Sequence, residues 1–241
     1  LNLTKVDIKV LNRGTTISNP GLISVTDKLL ANLTMSPYTS WFLKNNQRVR
    51  INIGTAEILA RVRIFGKKIM KNQNSNVIIL FERPVGVTIN DQFVVRSYSP
   101  LDTIASGIVL ETEFEYDRKF IEKCPVDSLE RLRYMISNFS HKPKTIEEWS
   151  KKYFISFNEM KEKLKLLDAR VISDNGFVYF NHNFEYWEKE TLSYIEEKCK
   201  DNSFHNYVEL NNIVQSLGIS EKWAKHIIER LIKSNMLAFK S

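Results

Sequence analysis

Cysteine, glycine and long apolar runs are all scarce in this 241-residue chain. Cys124 and Cys199 are the only cysteines and form no C-x-x-C arrangement, so a disulfide framework is excluded. Isolated thiols fit a reducing compartment, and a cytoplasmic protein is expected. The four histidines (His141, His182, His205, His226) are scattered, with none at ligand spacing to a cysteine, so no metal site is expected. No uninterrupted apolar run approaches the ~18 residues of a membrane span. No basic-then-apolar leader opens the chain. Its first stretch, LNLTKVDIKVL, reads as the interior of a domain, and a piece of a longer protein is expected. The eight glycines stand at positions 14, 21, 54, 66, 86, 107, 176 and 218. No two are five apart, which excludes the phosphate-binding loop G-x-x-x-x-G-K-[ST].

Acid is scarce in one place. Residues 44–71 hold eight Lys and Arg against a single acid, Glu57, in a chain of net charge +7. Residues 1–113 carry 14 basic and 8 acidic side chains; residues 114–241 carry 21 and 20. A basic cluster of that kind attracts polyanions, RNA above all, the alternative being a merely solvated basic surface.

The two halves also differ in period. RVRINI (48–53) and EILARVRIF (57–65) alternate, with Ile58, Ala60, Val62 and Ile64 on one face and Leu59, Arg61 and Arg63 on the other. NVIIL and QFVVR are short β-branched runs. Short strands separated by Gly or Asn turns predict a small antiparallel barrel or sandwich, with arginines on its outer face.

After residue 113 the pattern turns helical. Leu129, Leu132, Ile136 and Phe139 share one helical face. Thr145 with Glu148, and Ser156 with Glu159, are capping boxes. VISDNGFVYF predicts a tight hairpin around Asp174, Asn175 and Gly176. Three helices and a hairpin predict a winged helix, with its third helix at 156–168 and its wing at 170–180. A second set follows: a long helix with Trp187, Leu192 and Ile195 on one side, a helix ended by Gly218, and a helix capped by Ser220. MLAFK would begin a second wing. Trp149, Trp187 and Trp223 are expected as core anchors. ETEFEYDRKFIEKCPV, which joins the halves, is either an accessible linker or a helix docked through Phe114, Tyr116 and Phe120.

In DQFVVRSYSPLDTIASGIVLE, Asp91, Phe93, Arg96, Ser99, Pro100, Thr103, Ile104, Gly107, Val109 and Leu110 occur in an ordered motif. Together with LNRGTTISNPGLISVTDKLLANL and GTAEILARVRIF, it resembles the third domain of translational GTPases, and among these the selenocysteine-specific elongation factors. Ala105 and Ser106 stand where that family has glycines. The resemblance implies a multidomain chain. Residues 1–16 would end a domain II-like β-barrel, and 17–113 would be a domain III-like β-barrel of the elongation factor Tu kind. Residues 114–182 would be a winged helix, and 183–241 a second one, either whole or truncated.

The resemblance implies an RNA-binding part that helps deliver selenocysteyl-tRNA to the ribosome at recoded UGA codons, linking tRNA to an mRNA hairpin. The full-length protein would then be a GTPase, with GTP and magnesium bound in an upstream domain. The residues expected on RNA are Arg48, Arg50, Arg61, Arg63, Lys67, Lys68 and Arg96, with Lys222, Lys225 and Arg230 of the last helix as a further contact. Arg96 is open to two roles: tying down the Ser-Pro turn, or meeting RNA or a neighbouring domain. Pro100 and Gly107 are expected to serve turn geometry. A rival is a DNA-binding regulator whose winged helices read a groove beside a β-barrel sensor. Its candidate reading helices offer few groove-reading side chains: Asn158, Lys161 and Lys163 in one, Lys222, Lys225 and Arg230 in the other. A third reading makes 114–182 a spacer that binds no nucleic acid. No catalytic set emerges, since Glu147 and Glu148 belong to a capped helix start. With no phosphate loop in its sequence, this chain should give a flat calorimetric titration with GTP and magnesium. Micromolar binding would contradict that expectation.

Overall fold

In the computed structural model, the alternation of residues 47–63 has become two paired barrel strands. The structure describes residues 12–19, 21–114, 116–167, 171–174, 176–201 and 207–238. The first strands are β1 (Ser24–Met35), β2 (Leu43–Lys44), β3 (Gln47–Ile53), β4 (Ala56–Arg63) and β5 (Lys68–Ile69). They are followed by β6 (Asn74–Val87), β7 (Gln92–Ser97) and β8 (Thr103–Glu111). Six of these close in the order β1-β6-β4-β3-β7-β8, all antiparallel, because β1 pairs with both β6 and β8. Within β3 and β4 every second side chain is buried, as the period-2 pattern requires. Val49, Ile51, Ile58, Ala60 and Val62 therefore fill the interior with Leu29, Leu33, Ile79 and Val95.

β6 outruns the apolar stretch that announces it. Glu82, Arg83 and Pro84 are exposed, yet the strand continues because Val85 and Val87 pair with Thr26 and Ser24 of β1. A bulge between Thr26 and Lys28 absorbs the register shift. The Thr26 hydroxyl holds it, accepting from the Lys28 N–H (3.1 Å) and donating to the Lys28 carbonyl (2.6 Å).

Gly107 lies inside β8 and serves packing instead of a turn. It faces Phe93 across the β7–β8 ladder, and a Cβ there would sit 2.3 Å from the Phe93 ring. The ring occupies the space that any other residue would claim. Ala105 and Ser106 are likewise strand residues, so no turn is stiffened by their replacing glycine. The segment before β1 touches the barrel at the β3–β4 turn. Arg13 Nε donates to the Thr55 carbonyl at 3.2 Å, and Gly14 (φ 92°) lies against Ala56. Of residues 1–16, expected to end a preceding barrel, 1–11 lie outside the described residues.

Four helices come next: α1 (Arg118–Lys123), α2 (Ser128–Asn138), α3 (Ile146–Lys152) and α4 (Phe157–Leu166). They are followed by β9 (Val171–Asp174), β10 (Phe177–Phe180), α5 (Asn181–Asp201), α6 (Leu210–Leu217) and α7 (Glu221–Lys233). The chain divides into two compact units: Leu1–Arg131 with Lys151–Phe154, and Leu132–Ser150 with Ile155–Ser241. Among the described residues, no helix is long and apolar enough to cross a membrane.

In the first unit, the joining segment is a docked helix. Phe114, Phe120 and Ile121 are buried, whereas Tyr116 is exposed. Asp117 caps α1 by accepting from the Phe120 N–H at 2.7 Å. Asn76 of β6 closes its far end, donating to the carbonyls of Ile121 and Cys124 at 2.8 Å each. The first unit also buries charge. Glu111 is fully buried at the end of β8. It meets Lys152 Nζ at 2.8 Å and accepts from the Tyr153 hydroxyl at 3.1 Å. Arg131, also fully buried, donates to the Val126 carbonyl at 2.6 Å and the Pro125 carbonyl at 3.2 Å, and to the Asn90 side chain. Burial raises the Glu111 carboxyl above its ordinary range even though Lys152 opposes this, and burial pushes the Cys124 thiol up to about 12.

In the second unit, the local signals hold. Thr145 and Glu148 form their reciprocal cap, the Thr145 N–H reaching Glu148 at 2.7 Å, and Ser156 and Glu159 form the other. Gly218 takes the left-handed conformation at the end of α6, and the Ser220 hydroxyl caps α7. The hairpin β9–β10 gains a third edge where Thr145 bridges to Phe177. Its Asn175 lies outside the described residues, as do 168–170 and 239–241. Phe177 and Tyr179 share one core with Phe184, Ile213, Trp223, Ile227 and Leu231. The boundary expected at residue 182 thus runs through continuous packing. Trp149 and Trp223 are both buried.

The buried Glu111–Lys152 pair generates a prediction. Lys152→Ala leaves a carboxylate in an apolar site and should destabilise the chain on the order of 3–5 kcal/mol at pH 7. The folded pKa of Glu111 lies above its unfolded value. The penalty should therefore shrink as pH falls through the folded value, where the group takes up a proton. Denaturant titrations of wild type and variant from pH 4 to 8 measure it; a pH-independent difference would count against it.

Candidate nucleic-acid interface

Strand pairing carries the expected arginines to one outer surface. Arg48 lies directly opposite Arg61, and Arg50 sits between Leu59 on β4 and Arg96 on β7. Arg61 and Arg63 are exposed at the end of β4, and Arg48, Arg50 and Arg96 are half-buried. Like charges on directly opposite strand positions repel. Three groups relieve that repulsion. Glu82 on β6 receives the Arg48 fork in two hydrogen bonds of 2.7 Å. Glu57 on β4 accepts from Arg50 at 2.9 Å and from Asn52 at 3.4 Å. The Tyr98 ring lies 4.8 Å from the Arg48 guanidinium and 5.5 Å from that of Arg50.

The sequence window 44–71 contained only Glu57. Glu82 joins the cluster because β6 runs beside β4, and Tyr98 because it follows β7. Neither was expected, and only the strand order reveals them. Hydrogen bonds from Arg48 hold the Glu82 carboxyl below its ordinary range; those from Asn52 and then Arg50 do the same for Glu57. Arg61 donates to the Asn46 carbonyl at 3.2 Å. Arg96 does not tie down the Ser-Pro turn. Ser97 does: its hydroxyl accepts from the Asp102 N–H at 2.9 Å and donates to the Pro100 carbonyl.

Lys67 and Lys68 lie off this sheet. Lys68 belongs to the two-stranded ribbon β2–β5, and Lys67 is exposed just before it. The last helix offers less than its sequence suggests. Lys225 pairs with Glu221 at 2.5 Å, and the Arg230 guanidinium lies 4.5 Å from the Phe184 ring centre. Lys222 is exposed on α7. Among the described residues, no three His, Cys, Asp or Glu side chains converge as metal ligands would.

A family model described as "Selenocysteine-specific elongation factor, beta-barrel domain" matches residues 30–115, the span from β1 to the end of β8 and just beyond. The barrel is thus similar to the β-barrel domain of selenocysteine-specific elongation factors. A selenocysteine-specific elongation factor from Desulfomicrobium baculatum is 29% identical over 114 residues, 46% of this chain and 18% of that protein. The crystal structure of the bacterial selenocysteine-specific elongation factor EF-Sec superposes with a TM-score of 0.75 at 19% identity. That match covers 95% of this chain and 36% of the other. The likeness in fold therefore runs through the helices as well as the barrel. The chain spans about a fifth of the curated relative and about a third of the solved one.

The fork between Arg48 and Glu82 is directly measurable. In Arg48→Gln the Glu82 carboxyl should titrate near the ordinary glutamate value, while in the wild type it titrates below it. Carboxyl-carbon NMR titration distinguishes the two. An unchanged Glu82 titration would mean that the fork does not form in solution.

Proposed function

We propose that this chain is the RNA-handling, C-terminal part of a selenocysteine-specific translation elongation factor. The likeness of the barrel to that family's β-barrel domain supports a translation-factor role. The observation that carries the RNA reading is the outward arginine set of β3, β4 and β7, an arginine-rich face in which Glu57 and Glu82 are the carboxylates bonded to Arg50 and Arg48. Such a face meets a phosphate backbone without reading sequence, as delivery of a folded tRNA requires. The partners on this reading are selenocysteyl-tRNA and, through the rest of the protein, the ribosome and an mRNA hairpin. GTP and magnesium belong to a domain outside this chain, and the whole protein is a GTPase on this reading. We infer winged-helix architecture for the helical part: the order α2, the segment at Thr145, α3, α4 and the hairpin supports it. α5, α6 and α7 repeat the three-helix layout. Tethering two RNA-binding ends in one protein raises their effective concentration for each other. With Lys225 and Arg230 already engaged, the last helix contributes less to RNA binding than the barrel face.

Arg61 and Arg63 are the most open arginines of the face. Each lost phosphate contact removes about 0.7 from the log–log salt slope on single strands, or about 0.9 on duplex. The double variant Arg61→Gln/Arg63→Gln should weaken binding of a tRNA-like RNA and flatten that slope by about 1.4–1.8. Glu82→Gln should act oppositely, freeing Arg48 for phosphate. Anisotropy titrations at several salt concentrations measure both. Unchanged affinity and slope in the folded double variant would refute the RNA reading of this face.

A further inference from the structure

The ribbon β2–β5 keeps two positive charges face to face. Its strands pair Leu43 with Ile69 and Lys44 with Lys68. Leu43 and Ile69 point inward and are buried, so alternation turns Phe42, Lys44, Lys68 and Met70 outward. Like charges at directly opposite positions destabilise a ribbon. This ribbon has only two residues per strand and few ladder bonds to offset that repulsion.

Among the described residues, no carboxylate pairs with either lysine. The segments 36–45 and 64–73 that build the ribbon and its loops contain neither Asp nor Glu. The groups that tie their backbone are neutral amides. Gln47 accepts from the Lys44 N–H at 2.9 Å, Asn45 from Ile64 at 3.1 Å, and Gln73 from Met70 at 2.8 Å. Both ammonium groups lean on one aromatic ring instead: Lys44 Nζ is 5.3 Å and Lys68 Nζ 5.1 Å from the centre of Phe42. A local rule broken with so little compensation, one shared ring and no acid in these segments, points to a functional site.

Two further features give the charge pair something to hold. Tyr38, in the loop between β1 and β2 that leads into the ribbon, is 96% exposed, an open ring four residues before Phe42. Lys68 also borders a polar depression of about 410 Å³, lined by Asn72, Gln73, Asn74 and Ser75 among others. That volume falls within the ~300–1,000 Å³ range of small-molecule sites.

We propose that this ribbon and the Tyr38 loop form a site for one unpaired nucleotide of RNA. The phosphate sits between the Lys44 and Lys68 ammonium groups, and the base stacks on the aromatic surface of Tyr38 and Phe42. An aromatic ring flanked by cations is the common device for gripping single strands, because every base has a π face and every nucleotide a phosphate. The site differs from the arginine sheet in kind. The barrel face offers guanidinium forks for duplex backbone, whereas the ribbon offers rings, which a stacked duplex cannot use. This inference extends the RNA reading of the barrel, and its test separates the two.

The full chain is titrated with a short single-stranded RNA carrying 2-aminopurine and, separately, with a blunt RNA duplex. Stacking should quench the probe in the wild type. Tyr38→Ala should abolish the quench and weaken single-strand binding on the order of ten- to a hundredfold, leaving duplex binding within twofold. Lys44→Ala/Lys68→Ala should weaken single-strand binding and flatten its salt slope by about 0.7, the share of one phosphate. Arg61→Gln/Arg63→Gln should do the reverse, losing duplex affinity while keeping the quench. Absence of quenching in the wild type, or an unchanged Tyr38→Ala variant, overturns the ribbon site without touching the arginine face. Polyglutamate that competes as strongly as RNA would also overturn it, in favour of an acidic protein partner. All the substituted side chains are exposed or half-buried, so the variants should fold.

Discussion

The structure depends first on closure of the barrel through β1. One strand pairs with β6 on one side and β8 on the other, and that double pairing leaves no free edge in the six-stranded sheet. Closure also fixes which parity of each strand faces inward. A shift of one residue anywhere in β3 or β4 would drive Arg48, Arg50, Arg61 and Arg63 into an interior filled by valine and isoleucine. The basic outer face and the apolar core are thus one constraint seen from two sides. The seam between β7 and β8 needs the small residue Gly107, because the Phe93 ring passes where a side chain would stand.

Charge is handled in opposite ways outside and inside this first unit. On the outer face, Glu82 and Glu57 hold the arginines in hydrogen-bonded geometry, while solvent screens the repulsion that remains. A carboxylate fork on an arginine has the shape of a phosphate fork, so the guanidinium is already oriented for an anion that displaces Glu82. Inside, Glu111 and Arg131 have no solvent to help them. Glu111 depends on Lys152 and Tyr153, and Arg131 on carbonyls and on Asn90. Removing one member leaves an uncompensated buried charge, so these residues hold Arg131 and Lys151–Phe154 within the barrel unit. The ribbon β2–β5 follows neither scheme, and its exposed lysine pair is what singles it out.

In the second unit, local signals and long-range packing do different jobs. Capping boxes and the left-handed Gly218 set where helices start and stop within a few residues of sequence. The aromatic core sets which elements belong together. Tyr179 and Phe184 stand 5.0 Å and 5.7 Å from Trp223, so the hairpin and α5–α7 are one packed body.

The sequence alone determined what depends on neighbours in the chain. Period-2 alternation put Ile58, Ala60 and Val62 inside and Arg61 and Arg63 outside. Thr145, Ser156 and Ser220 marked helix starts, and the ordered motif from Asp91 to Leu110 pointed to the family before any fold was seen. Only the tertiary structure decided what depends on strands brought together from far apart. Glu82 meets Arg48 across 34 positions, and Asn76 closes α1 across 45. Gly107 is demanded by a ring 14 positions away and not by a turn, and a charge count over a window could not see that Lys44 would face Lys68. The physical reason is range. Backbone propensity and capping act over three or four residues, whereas hydrogen bonds, ring packing and desolvation act between whatever groups the closed barrel sets side by side.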